Sequence, residues 1–307
     1  MMAAIFLILA AIVLGGSYYA YRLAFLSREE DRNKIPEIEG DMYEPYKPLL
    51  KEMFHTLRTR PCEEVTITSH DGLTLFGRYY HTADGAPLDI GFHGYRSSYI
   101  TDFCGGSVMS LSQGHNLLLI DQRSHGNSQG KTISFGIQER KDALSWINYA
   151  IDRFGADTKI CLYGVSMGAA TVLMASGLDL PENVKGIIAD CPYVRASDII
   201  VEVGKTLKYP TWFTVPCAWL GARIYGGFNL YETDAVKAVS RSKVPILIIH
   251  GEDDTLVPAE MSKLAQNANP KLVQRETFPG AGHAMSYMVD TERYWKVATE
   301  FMQKVLA

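Results

Sequence analysis

A serine between two glycines is the feature of this 307-residue sequence that points most directly to chemistry. Residues Gly164–Gly168 read G-V-S-M-G and fit the pattern G-x-S-x-G. The motif follows the apolar run 159–163 and precedes a small-residue helical stretch at 169–177, which is the strand–turn–helix context of a nucleophile elbow. The flanking glycines are needed because side chains there would clash with the neighbouring strand and helix. We therefore predict that Ser166 is a catalytic nucleophile; the alternative is a helix-capping serine with incidental glycines.

An acid and a histidine follow this serine in the chain. The order serine, acid, histidine is the one that a hydrolase with this kind of nucleophile elbow needs. The segment His250–Pro258 comes after an apolar run, and a carboxylate just past a strand end lies at the edge where ligands bind in doubly wound sheets. We predict Asp254 as the acid, with Asp253 as the alternative. His283 stands in a Gly-rich segment before the last helical pattern, and we predict it as the general base.

The segment Phe92–Arg96 ends a predicted central strand. Acyl transfer needs N–H donors aimed at the developing oxyanion, each worth roughly 3 kcal/mol in comparable sites. The backbone N–H groups of Tyr95 and Met167 are the predicted pair. We expect His93 to brace this loop rather than to react.

The surrounding sequence alternates strand and helix patterns. A hairpin signal at Asp71-Gly72 comes first. Uniformly apolar runs, which suit strands buried on both faces, then occur at 88–92, 116–120, 160–163, 184–189 and 244–249. Apolar residues at helical spacing occur between these runs and over 287–305. The pattern predicts an α/β fold: a mostly parallel, doubly wound sheet with an antiparallel N-terminal hairpin. The aromatic-rich stretch at about 194–238 is too long for an ordinary loop and is predicted to be an inserted helical cap.

The first 21 residues contain no charged side chain, and a helix of that length spans roughly 30 Å, the thickness of a bilayer core. We predict a single-span N-terminal anchor at 1–26 with an interfacial tyrosine belt, a tether and lead-in at 27–61, and the catalytic domain at 62–307. A signal peptide or a buried core helix are the alternatives. The first basic residues, from Arg22 onward, all follow the span, so the positive-inside rule predicts a domain facing the cytoplasm.

Composition excludes several other classes. With 30 Lys+Arg against 34 Asp+Glu, the chain has no electrostatic footprint for nucleic acid. The five cysteines are odd in number and widely spaced, which argues against a disulfide framework or a zinc site. No metal or organic cofactor is implied. The segment Gly126–Thr132 is similar to a phosphate-binding loop but has three residues between its glycines where the motif needs four.

Together these motifs resemble the α/β-hydrolase superfamily, within the serine hydrolases grouped with S33-type aminopeptidases and monoacylglycerol-lipase-like esterases, and in particular its bacterial membrane-anchored members. The resemblance runs from Glu63 to the C-terminus and includes Phe92–Gly94, the loop Asp121–Ser128, the Ser166 elbow, the Asp254 loop and Gly282-His283. It implies that Ser166, Asp254 and His283 form a triad. It also implies that Arg123 and His125 lie beside the site in supporting positions.

The predicted function is hydrolysis of carboxylic esters with small or medium apolar acyl groups, because the aromatic cap favours an apolar small-molecule substrate. An S33-like aminopeptidase and an acyltransferase are the alternatives, followed by a non-catalytic ligand-binding protein. An aminopeptidase needs acidic groups for the substrate amine, and Glu202 and Glu232 are the candidates in the cap. The sequence leaves the oligomeric state open.

Overall fold

A computed structural model describes residues 1–27 and 40–307, so residues 28–39 of the predicted tether and lead-in lie outside the described residues. The centre of the described chain is one eight-stranded sheet with the order β1-β2-β4-β3-β5-β6-β7-β8. Its strands are β1 (Glu63–Thr68), β2 (Thr74–Tyr80), β3 (Leu88–Phe92), β4 (Asn116–Asp121), β5 (Ile160–Val165), β6 (Val184–Asp190), β7 (Ile246–Gly251) and β8 (Val273–Phe278).

The sheet has the predicted pairing. Strand β2 pairs antiparallel with both β1 and β4, and the remaining neighbours are parallel. The predicted fold class is therefore confirmed, and the five apolar runs correspond to β3 to β7. Strand β8 was not predicted, since only its terminal residues Val273 and Phe278 are fully buried and the residues between them are polar.

Helices cover both faces of the sheet. They are α1 (Met2–Ala24), α2 (Lys47–Thr59), α3 (Tyr99–Ser112), α4 (Glu139–Phe154), α5 (Met167–Ala175), α6 (Ala196–Thr206), α7 (Thr211–Ile224), α8 (Ala235–Arg241), α9 (Glu260–Ala268), α10 (Ser286–Val289) and α11 (Thr291–Leu306). A core on one face takes side chains from α4, α5, α8 and α9, and a core on the other face takes them from α2, α3 and α11. The helical pattern over 287–305 is divided at Asp290, whose side chain caps α11.

The cap stretch between β6 and β7 contains α6, α7 and α8. Helix α7 packs across the C-terminal half of α1. A Cβ on Gly221 would lie 2.4 Å from the carbonyl oxygen of Ser17, so only glycine permits this approach of the two backbones. Helix α1 is long and apolar enough to cross a membrane, and little of it is buried.

The parallel register brings the loops that follow four strands to one edge of the sheet. Phe92 pairs with Gly164, Val165 pairs with Asp190, and β7 ends in the same direction. The segments after β3, β5, β7 and β8 carry the residues that the sequence analysis singled out, so the topology alone places them near one another.

Candidate active site

Ser166 stands in the sharp turn between β5 and α5. Its backbone has φ 54° and ψ −112°, an unfavourable conformation for a residue with a side chain, and its N–H donates to the carbonyl of Asp190 at 2.8 Å. A Cβ on Gly164 would lie 2.3 Å from the carbonyl of Gly168, and a Cβ on Gly168 would lie 1.8 Å from the Phe92 oxygen. The two glycines of the motif are thus required by backbone contacts.

Three predicted side chains meet at this turn. His283 Nε2 lies 2.9 Å from Ser166 Oγ, and His283 Nδ1 lies 2.7 Å from Asp254 Oδ2. The alternative acid, Asp253, is exposed and makes no contact of this kind among the described residues. The geometry permits a proton to pass from the serine hydroxyl to the imidazole while the carboxylate orients the ring.

Asp254 is held as an anion. Its Oδ1 accepts the N–H groups of Leu256 at 3.0 Å and Val257 at 2.8 Å. Desolvation acts to raise the pKa of Asp254, but hydrogen bonds with His250 and His283 outweigh it and hold the pKa well below its ordinary value. The carboxylate therefore stays charged opposite the imidazole.

Of the two predicted oxyanion donors, Met167 directly follows Ser166, and Tyr95 lies in a loop that approaches Ser166 at Gly94. Met167 is the first residue of α5, where a helix leaves its backbone N–H groups without intrahelical acceptors. Tyr95 follows Gly94, and a Cβ built on Gly94 would lie 3.3 Å from Ser166 Cβ. Asp102 fixes this loop, since its carboxylate accepts from Gly94 N–H at 2.5 Å and from the Ser97 hydroxyl at 2.7 Å.

His93 and His125 are buried beside the loop at residues 94–97. His93 Nε2 accepts the N–H of Gln122 at 3.0 Å, and His125 Nε2 accepts the N–H of Arg96 at 2.9 Å. Burial lowers the pKa of His93 to about 4 and, together with the neighbouring His93, that of His125 to about 3. Both rings act as neutral acceptors for backbone groups on either side of the site.

Arg123 lies farther away and does not touch Ser166, His283 or Asp254. Its guanidinium bonds to Asp142 at 2.6 and 2.7 Å and to Asp71 at 2.9 and 3.1 Å. It therefore ties the β1–β2 turn to α4.

Sequence reasoning missed a second group of residues near the site. A short 3-10 helix (Asp41–Tyr46) lies over it, and a Cβ on Gly282 would meet Met42 Cε at 2.2 Å. A cavity of about 270 Å³ opens beside the 3-10 helix, between α2, α3 and α10. Its lining is mostly apolar and includes Val165 and Ala284, which are next to Ser166 and His283 in sequence. No local motif marks these residues, because they contact the site from distant parts of the chain.

Among the residues that the structure describes, two groups of side chains lie close enough together to bind a metal ion, and in both groups the ligand atoms are already engaged by other side chains. In the first group, Cys191, Asp254 and His283, both ring nitrogens of His283 already face Asp254 and Ser166. In the second group, His70, Asp71 and Asp142, the two carboxylates already bind the Arg123 guanidinium.

The chain matches two protein-family models. The prolyl oligopeptidase family model matches residues 129–307, and the X-Pro dipeptidyl-peptidase (S15 family) model matches residues 18–213. Each match covers more than half of the chain. The chain belongs to the α/β-hydrolase superfamily. The superfamily resemblance seen in the sequence is thereby confirmed.

Individual relatives are distant. The YqkD protein of Bacillus subtilis is 24% identical over 97% of this chain and 95% of its own length. The α/β-hydrolase domain-containing protein WAV2 of Arabidopsis thaliana is 25% identical over 62% of this chain and 61% of its own length. Among solved structures, the Pyrococcus furiosus esterase Pf2001 superposes with a TM-score of 0.68 at 23% identity, covering 89% of this chain and 97% of the esterase.

Proposed function

We propose that this α/β hydrolase is a serine esterase that cleaves carboxylic esters of small or medium apolar acyl groups through an acyl-enzyme on Ser166. The observation that carries the proposal is the continuous hydrogen-bonded chain from Ser166 Oγ through His283 to Asp254, at 2.9 and 2.7 Å. Sequence order and local geometry agree on the same three side chains.

In the proposed mechanism His283 takes the Ser166 proton as the hydroxyl attacks the acyl carbon. Asp254 accepts the Nδ1–H of His283, which leaves Nε2 free to act as the base and stabilises the imidazolium that forms. The N–H groups of Tyr95 and Met167 hold the oxyanion. The protonated His283 then gives its proton to the alkoxy oxygen as the ester C–O bond breaks and the alcohol leaves. Water, activated by the same imidazole, attacks the acyl-enzyme, which frees the acid and returns the proton to Ser166.

The cavity beside the site supports an apolar acyl group. Its volume of about 270 Å³ lies just below the range of roughly 300–1,000 Å³ that holds drug-sized ligands. Its walls include the aromatic and sulfur side chains of Phe54, Tyr287 and Met288. A single short or medium acyl chain matches this space. The superposed Pyrococcus furiosus protein is named an esterase, which agrees with the proposal.

Peptide hydrolysis is the second candidate, because both matching family models are named for peptidases. The cap offers little support for an aminopeptidase. Glu202 pairs with Lys205 at 2.8 Å, and Glu232 pairs with Arg140 at 2.9 Å, so both carboxylates already have cationic partners.

The membrane assignment belongs to the same proposal. Helix α1 would anchor the chain, the segment up to residue 61 would lead into the domain at 62–307, and the basic residues after α1 favour a domain on the cytoplasmic side.

The test is to react the full-length protein in detergent with a fluorophosphonate probe, alongside the Ser166→Ala variant. We expect labelling and ester turnover in the wild type, and loss of both in the variant by several orders of magnitude. Short-chain and medium-chain nitrophenyl esters should turn over faster than aminoacyl amides. An unlabelled, folded wild type would refute the activated serine, and faster amide hydrolysis would replace the esterase with a peptidase.

A further inference from the structure

The cap carries an apolar surface that nothing in the described chain covers. We call it the cap apolar surface and define it by Leu207, Tyr209, Trp212, Pro216 and Trp219. Trp212 is 79% exposed and Leu207 is 49% exposed. Trp212, Pro216 and Trp219 lie at positions i, i+4 and i+7 of α7, which places them on one face of that helix. Exposed aromatic side chains grouped in this way mark an interaction site.

The opposite face of α7 is packed against α1. A Cβ on Gly16 would lie 3.3 Å from both Cys217 Sγ and the Phe213 ring, and Gly221 meets Ser17 at backbone distance. The Tyr225 ring, just past the end of α7, packs edge-on against Tyr18 at 5.2 Å. Helix α7 is therefore fixed at a definite level along α1.

The cap apolar surface is continuous with the exposed part of α1. Tyr209 forms a side-chain hydrogen bond with Tyr19, and Trp212 packs on Phe213, which touches Gly16. Beyond this level, Met2–Gly15 projects from the domain with almost every side chain exposed. The apolar exposure thus runs from the cap onto α1 without a polar break at their junction.

Helix length sets how deep the cap must lie. The 23 residues of α1 span about 34 Å, which is enough for the roughly 30 Å hydrocarbon core of a bilayer. The projecting Met2–Gly15 spans only about 21 Å. If α1 crosses the core, its next turns, which are those packed on α7, have to lie within or at the edge of the membrane.

The charges around the surface suit anionic lipid. Residues 207–224 contain no Asp or Glu, and the basic residues Lys208 and Arg223 stand near the two ends of α7. Arg22 lies in the last turn of α1. An aromatic face with basic residues at its margin is the pattern of an interfacial membrane helix.

We propose that α7 lies in the interface of a phospholipid bilayer with the cap apolar surface in contact with lipid, so that α1 and the cap form one membrane-binding unit. This inference rests on the proposed membrane anchor α1 but not on the esterase activity, and it holds whether or not Ser166 reacts.

Tryptophan fluorescence tests it directly, because α1 contains no tryptophan and the chain has four, of which Trp212 and Trp219 are on the cap apolar surface. The full-length protein is reconstituted into vesicles of equal parts phosphatidylglycerol and a phosphatidylcholine brominated in the upper part of its acyl chains. We expect strong quenching in the wild type and loss of most of that quenching in the variant Trp212→Phe/Trp219→Phe. The matched control Trp295→Phe removes a tryptophan that packs on the opposite face of the sheet, and its quenching should stay as in the wild type.

A further variant, Phe6→Trp in the double-variant background, separates the cap from the anchor. Quenching of this tryptophan without quenching of Trp212 and Trp219 in the wild type would overturn the proposal while leaving α1 in the membrane. An unquenched wild type whose mass in detergent doubles with concentration would overturn it too, and would assign the surface to a second copy of the chain.

Discussion

At the scale of single residues, the buried imidazoles of His93 and His125 show how the loop at residues 94–97, which carries Tyr95, is held. Their rings meet edge to face at 4.9 Å, and each accepts a backbone N–H at Nε2. The Nδ1 atoms lie 2.8 Å from the Gly94 carbonyl and 2.9 Å from the Arg123 carbonyl, which requires the neutral Nδ1–H form of each ring. Protonation of either ring would remove an acceptor and place a charge in the core.

This arrangement predicts a loss of stability in mild acid. Burial lowers the pKa of His93 to about 4, whereas a histidine in the unfolded chain titrates near 6.5. Between these values the unfolded state binds the proton and the native state does not, so the free energy of unfolding decreases as the pH falls from about 6.5 toward 4. The loss from His93 alone is on the order of 3 kcal/mol.

Chemical unfolding of the wild type and of His93→Gln, measured from pH 7 to pH 4, checks this prediction. The glutamine stays neutral throughout, so its stability should depend less steeply on pH even if it is lower at pH 7. Parallel curves for the two proteins would show that His93 does not titrate as argued.

At the scale of elements, the parts of the fold that were predictable are those with a local signal. Strand β5 and the elbow at Ser166 were predictable because an apolar run, two glycines and a helix are contiguous in sequence. Strand β8 was not, because its central residues Gln274 and Glu276 are polar. The position of the 3-10 helix beside His283 depends on contacts between residues that are more than 200 positions apart in the sequence, such as Met42 and Gly282. No local sequence pattern marks such contacts.

The C-terminal end of α1 is an element of the core, which the sequence did not predict. Phe25 is fully buried between Phe135 and Phe228, and Ile133 N–H donates to its carbonyl at 2.7 Å. The Tyr95 hydroxyl donates to the carbonyl of Ala24 at 2.8 Å. The end of the apolar helix therefore supports the loop that carries a proposed oxyanion donor.

Deleting residues 1–26 should consequently lower the free energy of unfolding far more than deleting residues 1–13. The longer deletion removes Phe25, and loss of a buried phenylalanine side chain costs about 3–5 kcal/mol. The shorter deletion removes only exposed side chains and the half-exposed Ala10. We expect the shorter variant to unfold near the wild-type midpoint and keep its ester turnover, and the longer variant to lose stability and ester turnover.

In the full chain, Phe25→Ala should reproduce the loss of stability and Leu9→Ala should not. Equal stability of the two truncations would contradict this role for α1.

At the scale of the whole molecule, the contacts between α1 and the domain fix how the site is oriented toward any membrane that α1 enters. Tyr21 and Phe25 lie in the same core as Ile90 and Met167. These contacts pack the C-terminal end of α1 against the domain that contains the sheet. The proposed site at Ser166 then lies on the side of the membrane on which α1 would end.

A native cysteine reports that side. Cys62, directly before β1, is exposed, and the other four cysteines are buried. Because the first basic residues lie in the last turn of α1 and beyond it, we expect Cys62 in the cytoplasm, where a membrane-impermeant maleimide added to intact cells does not reach it. The same reagent should label the protein after lysis, and the Cys62→Ser variant should stay unlabelled in both conditions.

Desolvation raises the pKa of the Cys62 thiol, so the reaction should be run at mildly alkaline pH to supply enough thiolate. Labelling of Cys62 in intact cells would place the domain, and with it the proposed esterase site, on the outer side of the membrane.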